Sequence, residues 1–163
     1  MKVYIVDDSI SDAILIEATL SNYSNDMEFL IESDPIIAKE SISKENSGID
    51  LILLDLNMPK FDGVQMLEYM SQNNINIPVI ACSNFIHQYE NKLNRNKIIQ
   101  VISKKELSNC LPENLADIFM KLNSTKSCMV LLGKLDKLCD RNLRRVEFYN
   151  EINSLKKELQ NFI

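Results

Sequence analysis

The chain has 163 residues, 45% hydrophobic and 25% charged, with a formal net charge of −5. That composition suits a folded domain with a real core and excludes a disordered chain, a collagen and a disulfide mini-protein. The acidic balance argues against general nucleic-acid binding. Met1 to Val6 carries no basic region followed by a long apolar run, so no signal peptide is expected. No apolar run approaches the roughly 18 residues of a membrane span.

Taken in chain order, short apolar runs alternate with amphipathic ones. Val3 to Val6 is the first apolar run and ends in Asp7-Asp8. Ser11 to Leu20 follows at helical spacing, with Ser9 or Ser11 available as N-cap. Phe29 to Ile31 is a weaker strand candidate, and Ile36 to Lys44 a second helix. Asp50 to Leu54 is apolar after its first residue and ends in Asp55. Asp62 then caps a helix that runs to Met70, with Met66 and Met70 at core spacing. Pro78 to Cys82 is a further strand, leading to Ser83 and a helix over Ile86 to Leu93. Ile98 to Ile102 is the last strand, followed by Lys104. A fifth helix has Pro112 in its first turn and continues through Leu122.

Near-continuous apolar runs suit strands buried on both faces. Five repeats of strand then helix, joined by right-handed crossovers, give an α/β fold: a doubly wound five-stranded parallel sheet with helices on both faces.

In such a sheet, ligands bind beyond the carboxyl ends of the strands. Asp7, Asp8 and Asp55 converge there. Unpaired, they would repel and raise one another's pKa values. A hard divalent cation resolves the conflict, and Mg2+ suits oxygen ligands while leaving positions for a phosphate. Ser83 and Lys104 end strands at the same rim. Carboxylates, metal, hydroxyl and ammonium together suit phosphoryl transfer to Asp55.

These stretches resemble the receiver domains of two-component response regulators. The matching segments are Val3–Ser9 (VYIVDDS), Leu51–Gly63 (LILLDLNMPKFDG), Pro78–Ser83 (PVIACS) and Val101–Lys104 (VISK). The resemblance covers residues 1–123. It implies a flavodoxin-like fold in which Asp55 accepts a phosphoryl group from a histidine kinase or phosphotransfer protein. It implies Mg2+ held by Asp8 and Asp55 directly, by Asp7 mostly through water, and by the Asn57 backbone carbonyl. Ser83 and Lys104 would contact phosphoryl oxygens. A phosphohydrolase of related type would need a second Asp two residues after the nucleophile. Asn57 holds that position and cannot act as the acid/base.

The chain departs from the family at four places. Asn84 replaces a small residue after Ser83. Phe85 stands where a polar residue often positions the hydrolytic water, which predicts a long-lived phosphorylated form. Val101 replaces the aromatic of a rotamer switch. Lys105 replaces a proline that is often cis; a cis bond to a non-proline costs about 3–4 kcal/mol, so trans is expected. Lys104 is the expected functional lysine, with Lys105 the fallback. Gly63 is read as loop geometry, a tight turn or a close backbone approach. His87 reads as a solvated helix residue.

Residues 1–123 hold 10 Lys+Arg and 18 Asp+Glu, whereas residues 124–163 hold 8 and 5. The net therefore changes from −8 to +3 at Ser124. Beyond that break lies a long helical segment, Cys128 to Ile163. Leu131, Leu135, Leu138, Asn142, Arg145, Tyr149, Ile152, Lys156, Leu159 and Ile163 alternate by four and three, a heptad seam with polar interruptions. The favoured expectation is a homodimer through this tail, ahead of folding back or binding a foreign helix. No recognition-helix pair is present, so no DNA-binding output is expected. Four cysteines without a CxxC pair read as reduced thiols of a cytoplasmic protein. The sequence therefore reads as a phosphorylation-controlled signalling protein rather than an enzyme. The alternative is a receiver-fold adaptor acting through assembly.

Overall fold

A computed structural model describes residues 1–22, 27–44, 47–89, 98–109, 118–122 and 124. The chain divides into two units, Met1–Glu113 and Asn114–Ile163. The first holds the sheet. The expected tail helix and its dimer seam, Cys128 to Ile163, lie outside the described residues, as does the Pro112 turn.

The strands are β1 (Lys2–Val6), β2 (Glu28–Glu32), β3 (Leu51–Asp55), β4 (Val79–Ser83) and β5 (Ile98–Ser103). They form one sheet in the order β2-β1-β3-β4-β5, and every pairing is parallel. β3 and β4 are buried at every residue, which is why both read as unbroken apolar runs.

Alternation along the strands sorts the core. Tyr4, Val6, Ile52, Leu54, Val79 and Ala81 share one face. They pack with Ala38 and Ile42 of α2 (Pro35–Ile42) and with Met66, Leu67 and Met70 of α3 (Gly63–Gln72). Val3, Ile5, Leu51, Leu53 and Ile80 point the other way and are equally buried. On that side α1 (Ile10–Ser21) packs against β1 and β2 and beside α4 (Lys104–Asn109). Each such large side chain contributes about 1.5–3 kcal/mol of burial.

Local chemistry sets the helix starts. Ser9 caps α1 by accepting the Asp12 N–H, and Asp34 caps α2 by accepting the Ile36 N–H. Asp62 and Gln65 form a reciprocal capping box at α3. The structure differs from the expected elements at two places. After β4 there is a single 3-10 turn, Ile86–Gln88, with residues 90–97 outside the described set. That turn sets Ile86 and Tyr89 on one side, and Tyr89 joins the core. The chain also becomes helical at Lys104, directly after β5. Among the described residues no peptide bond is cis, so Lys104–Lys105 is trans, as expected. No described helix is long and apolar enough to cross a membrane.

Candidate functional site

The sheet order places a switch point between β1 and β3. The chain leaves β1 toward β2 and leaves β3 toward β4, so their carboxyl ends flank an open crevice. Asp7 follows β1 and Asp55 closes β3. Both are buried, whereas Asp8 is exposed at the mouth. Each offers one carboxylate oxygen to a set whose members lie within 4.8 Å of one another.

Lys104 stands between them. Its Nζ lies 2.7 Å from Asp7 Oδ2 and 2.7 Å from Asp55 Oδ2. The ammonium is buried, so this is no solvated surface charge. Lys105 beside it is exposed, which leaves Lys104 as the lysine of the site. A third carboxylate, Asp12 Oδ2 in the first turn of α1, lies 3.4 Å from the same nitrogen.

Backbone donors fix the remaining oxygens. The Asn57 N–H donates to Asp55 Oδ1 at 2.9 Å, and the Ser9 N–H donates to Asp7 Oδ1 at 3.0 Å. Both oxygens of Asp55 are thus held, one by a backbone N–H and one by an ammonium. Ser83 is fully buried, and its Oγ accepts the Phe85 N–H at 3.0 Å. Asn84 and Phe85 are exposed, Phe85 by 56%, so the ring does not pack into the loop. His87 is exposed as expected. Val101 is half-buried against the core.

Gly63 is required by the floor of the site. A Cβ there would meet the backbone oxygen of Asp55 and stand 2.7 Å from Leu56 Cα. The Gly63 N–H donates to the Leu56 oxygen at 3.2 Å, closing the loop that carries Asn57. The close approach expected at this glycine is therefore real.

Burial sets the titration behaviour. It raises the Asp7 carboxyl above its ordinary value, and the nearby ammonium only partly offsets this. Burial would lower Lys104, but the bonds to Asp55 and Asp7 outweigh it and hold the amine protonated. Burial, with the charge of Asp55 adding to it, pushes the Cys82 thiol up to about 12.

Asp7, Asp8, Asp55 and Asp12 outnumber the Lys104 ammonium, so acidic groups predominate at the rim. That donor set, hard oxygens on one side of a crevice, fits a divalent cation. The structure brings together Asp7, Asp8, Asp55 and Lys104, with the Asn57 N–H on Asp55, and sets Ser83 at the end of β4. It adds two that the sequence reading did not single out. Asp12 reaches Lys104, and the Tyr89 hydroxyl donates to Asn57 Oδ1 at 3.4 Å.

A five-stranded parallel sheet in this order, with an acidic cluster and a buried lysine at its carboxyl rim, defines the receiver class. The chain belongs to the response regulator receiver family, matching the response regulator receiver domain over residues 3–116. Response regulator Rcp1 of Synechocystis is 31% identical over 136 residues, which is 77% of this chain and 86% of that protein. A protein-glutamate methylesterase/protein-glutamine glutaminase of Bradyrhizobium diazoefficiens is 36% identical over 93 residues. That match takes in 56% of this chain and spans only 24% of the methylesterase. Among solved structures, the phosphorylated cyanobacterial phytochrome response regulator RcpA superposes with a TM-score of 0.54 at 27% identity, covering 77% of this chain and 91% of that one. The Francisella response regulator 1452 receiver domain gives 0.61 at 24%, covering 76% and 98%, and shows the shared fold.

Proposed function

We propose that this protein is a phosphoacceptor switch. Asp55 takes a phosphoryl group from a histidine kinase or a phosphotransfer protein, and the change alters a surface that binds another protein. The observation that carries this reading is the buried Lys104 ammonium bridging Asp7 and Asp55 at 2.7 Å each. A lysine so placed stands where new negative charge would appear.

Asp7, Asp8, Asp55 and the Asn57 backbone carbonyl would hold Mg2+. When bound, the ion supplies positive charge to the phosphoryl oxygens and to the carboxylates around them. The chain does the rest. An Asp55 carboxylate oxygen forms the bond to phosphorus as the bond to the donor histidine nitrogen breaks. Lys104 keeps its place beside Asp55 and offsets the added charge. Ser83 Oγ already accepts one hydrogen bond, so its own proton is what it has to offer a phosphoryl oxygen.

The reading assigns no chemistry on another substrate, since the methylesterase likeness takes in only 24% of that protein. It assigns no DNA contact and no membrane contact, and it places the protein in the cytoplasm, where kinase and reduced thiols coexist. We further infer that residues 128–163 join two copies as a homodimer. Sizing of the full chain against residues 1–123 tests this; a monomer in both rejects it.

The central test is intact mass after incubation with Mg2+ and acetyl phosphate. The native chain gains one phosphoryl group, and Asp55→Asn gains none. A native chain that gains nothing would overturn the phosphoacceptor reading and favour the adaptor, acting through assembly alone.

A further inference from the structure

Lys104 is met by three carboxylates, and they are not alike. Its Nζ lies 2.7 Å from Asp7 Oδ2 and 2.7 Å from Asp55 Oδ2, and both acids belong to the candidate cation set. Asp12 Oδ2 lies 3.4 Å away and stands outside that set. The Asp12 side chain is 44% exposed, and the start of α1 fixes its place. Its own N–H donates to the Ser9 cap at 3.3 Å, and α1 packs beside α4, whose first residue is Lys104. A residue at this third helical position often takes the N–H of the capping residue. Here the Ser9 N–H donates to Asp7 Oδ1, and the Asp12 carboxylate turns to the ammonium.

A divalent cation drawn to Asp7, Asp8 and Asp55 meets an ammonium already seated on two of them. Like charges that close repel. The lysine carries its charge on a flexible four-carbon stem, so it is the lysine that gives way. It needs a carboxylate outside the cation's set and within a short swing of its resting place. We propose that Asp12 is a positioning residue for the cation site: its carboxylate receives the Lys104 ammonium when a divalent cation draws on Asp7 and Asp55. This inference rests on the cation site of the phosphoacceptor reading and adds the residue that lets lysine and metal share one crevice. No covalent bond is made or broken. The ammonium keeps its protons and exchanges one carboxylate partner for another.

The test is a titration of the full chain with Mg2+ alone, followed by backbone amide chemical shifts. It is run in about 0.5 M KCl, where the Debye length is only about 4 Å. Asp12→Asn keeps the size of the side chain and deletes its charge. It should weaken Mg2+ binding about threefold to fivefold, the scale of a half-exposed ion pair. Its melting temperature in a chelator should stay close to native. In a Lys104→Met background the same substitution should change affinity by less than about twofold, the screened field alone. Adding Ser11→Asp to Asp12→Asn returns the charge to the same turn at an exposed neighbouring position, and it should not restore affinity. That arm keeps Lys104, so it decides the matter even where Lys104→Met does not fold. Native affinity in Asp12→Asn overturns the inference. So does an equal loss with and without Lys104, or full rescue by Ser11→Asp, since either makes Asp12 a contributor to the field and no more. A native chain that binds no Mg2+ overturns it as well. A native chain that binds Mg2+ yet gains no mass from acetyl phosphate sinks the phosphoacceptor reading and leaves the role of Asp12 to be decided by its own affinities.

Discussion

Replacing Lys104 with methionine removes the ammonium and keeps an unbranched side chain. The lysine side chain is 8% exposed, and the carboxylates it bridges are 2% and 4% exposed. Without the ammonium, those two buried carboxylates face each other with oxygens within 4.8 Å. At an effective dielectric of about 20 that repulsion is roughly 3.5 kcal/mol. Breaking a buried ion pair by removing one partner typically destabilises by about 3–5 kcal/mol, so the two routes agree. Urea unfolding at about pH 7.5 in a chelator should therefore show a loss of about 3–5 kcal/mol. Mg2+ should return much of it, about 2.7 kcal/mol at a hundredfold excess over its Kd. Native protein should gain less, because its own ammonium competes for the same carboxylates. The deficit should also shrink toward about pH 5. Burial already raises the folded Asp7 pKa, and Lys104 lowers it, so the substitution raises it further. A raised carboxyl pKa gives stability that is highest at low pH and falls as pH climbs from the ordinary 3.8 through the folded value. Equal urea midpoints for native and variant, without divalent cation at about pH 7.5, would refute the reasoning.

Gly63→Ala should destabilise by about 1–3 kcal/mol and reduce phosphoryl uptake, because the new methyl presses on the backbone of Asp55 and Leu56. A melting temperature and a phosphorylation yield both matching native would sink that expectation. Cys82 should resist iodoacetamide in the folded protein at about pH 8.5 and react once denatured, since burial lifts its thiol from 9.0 to about 12. A raised thiol pKa also means stability falls between 9.0 and about 12, so Cys82→Ala should flatten the stability curve in that window. Lys104 adds to the same alkaline loss: its raised pKa stabilises fully below 10.5 and less as pH climbs beyond it.

The central strands were legible because they are buried on both faces, so nothing polar interrupts them. β2 was weak for the opposite reason. It is an edge strand, and Leu30 within it is 38% exposed. Asp7, Asp8, Asp55 and Lys104 could be read because each sits where an apolar run ends, a local signal for a rim position. Asp12 and Tyr89 could not. Their roles depend on contacts across 92 and 32 residues that only the assembled sheet creates. The start of α4 had a local signal that went unread. Ser103 followed three residues later by Glu106 is the pattern of a helix N-terminus. After β4, the spacing of Ile86 and Tyr89 fits a 3-10 turn as well as a helix, and burial of Tyr89 selected the turn.

The strand order has a consequence for synthesis of the chain. Lys104 closes a site whose first carboxylate is Asp7, ninety-seven positions earlier, and β5 must pair with β4 before the ammonium is delivered. A nascent chain still short of Lys104 presents its three carboxylates with no counter-ion from the protein. Contacts this distant form late and slowly. The counter-ion of the two buried carboxylates thus arrives only with the last strand of the sheet.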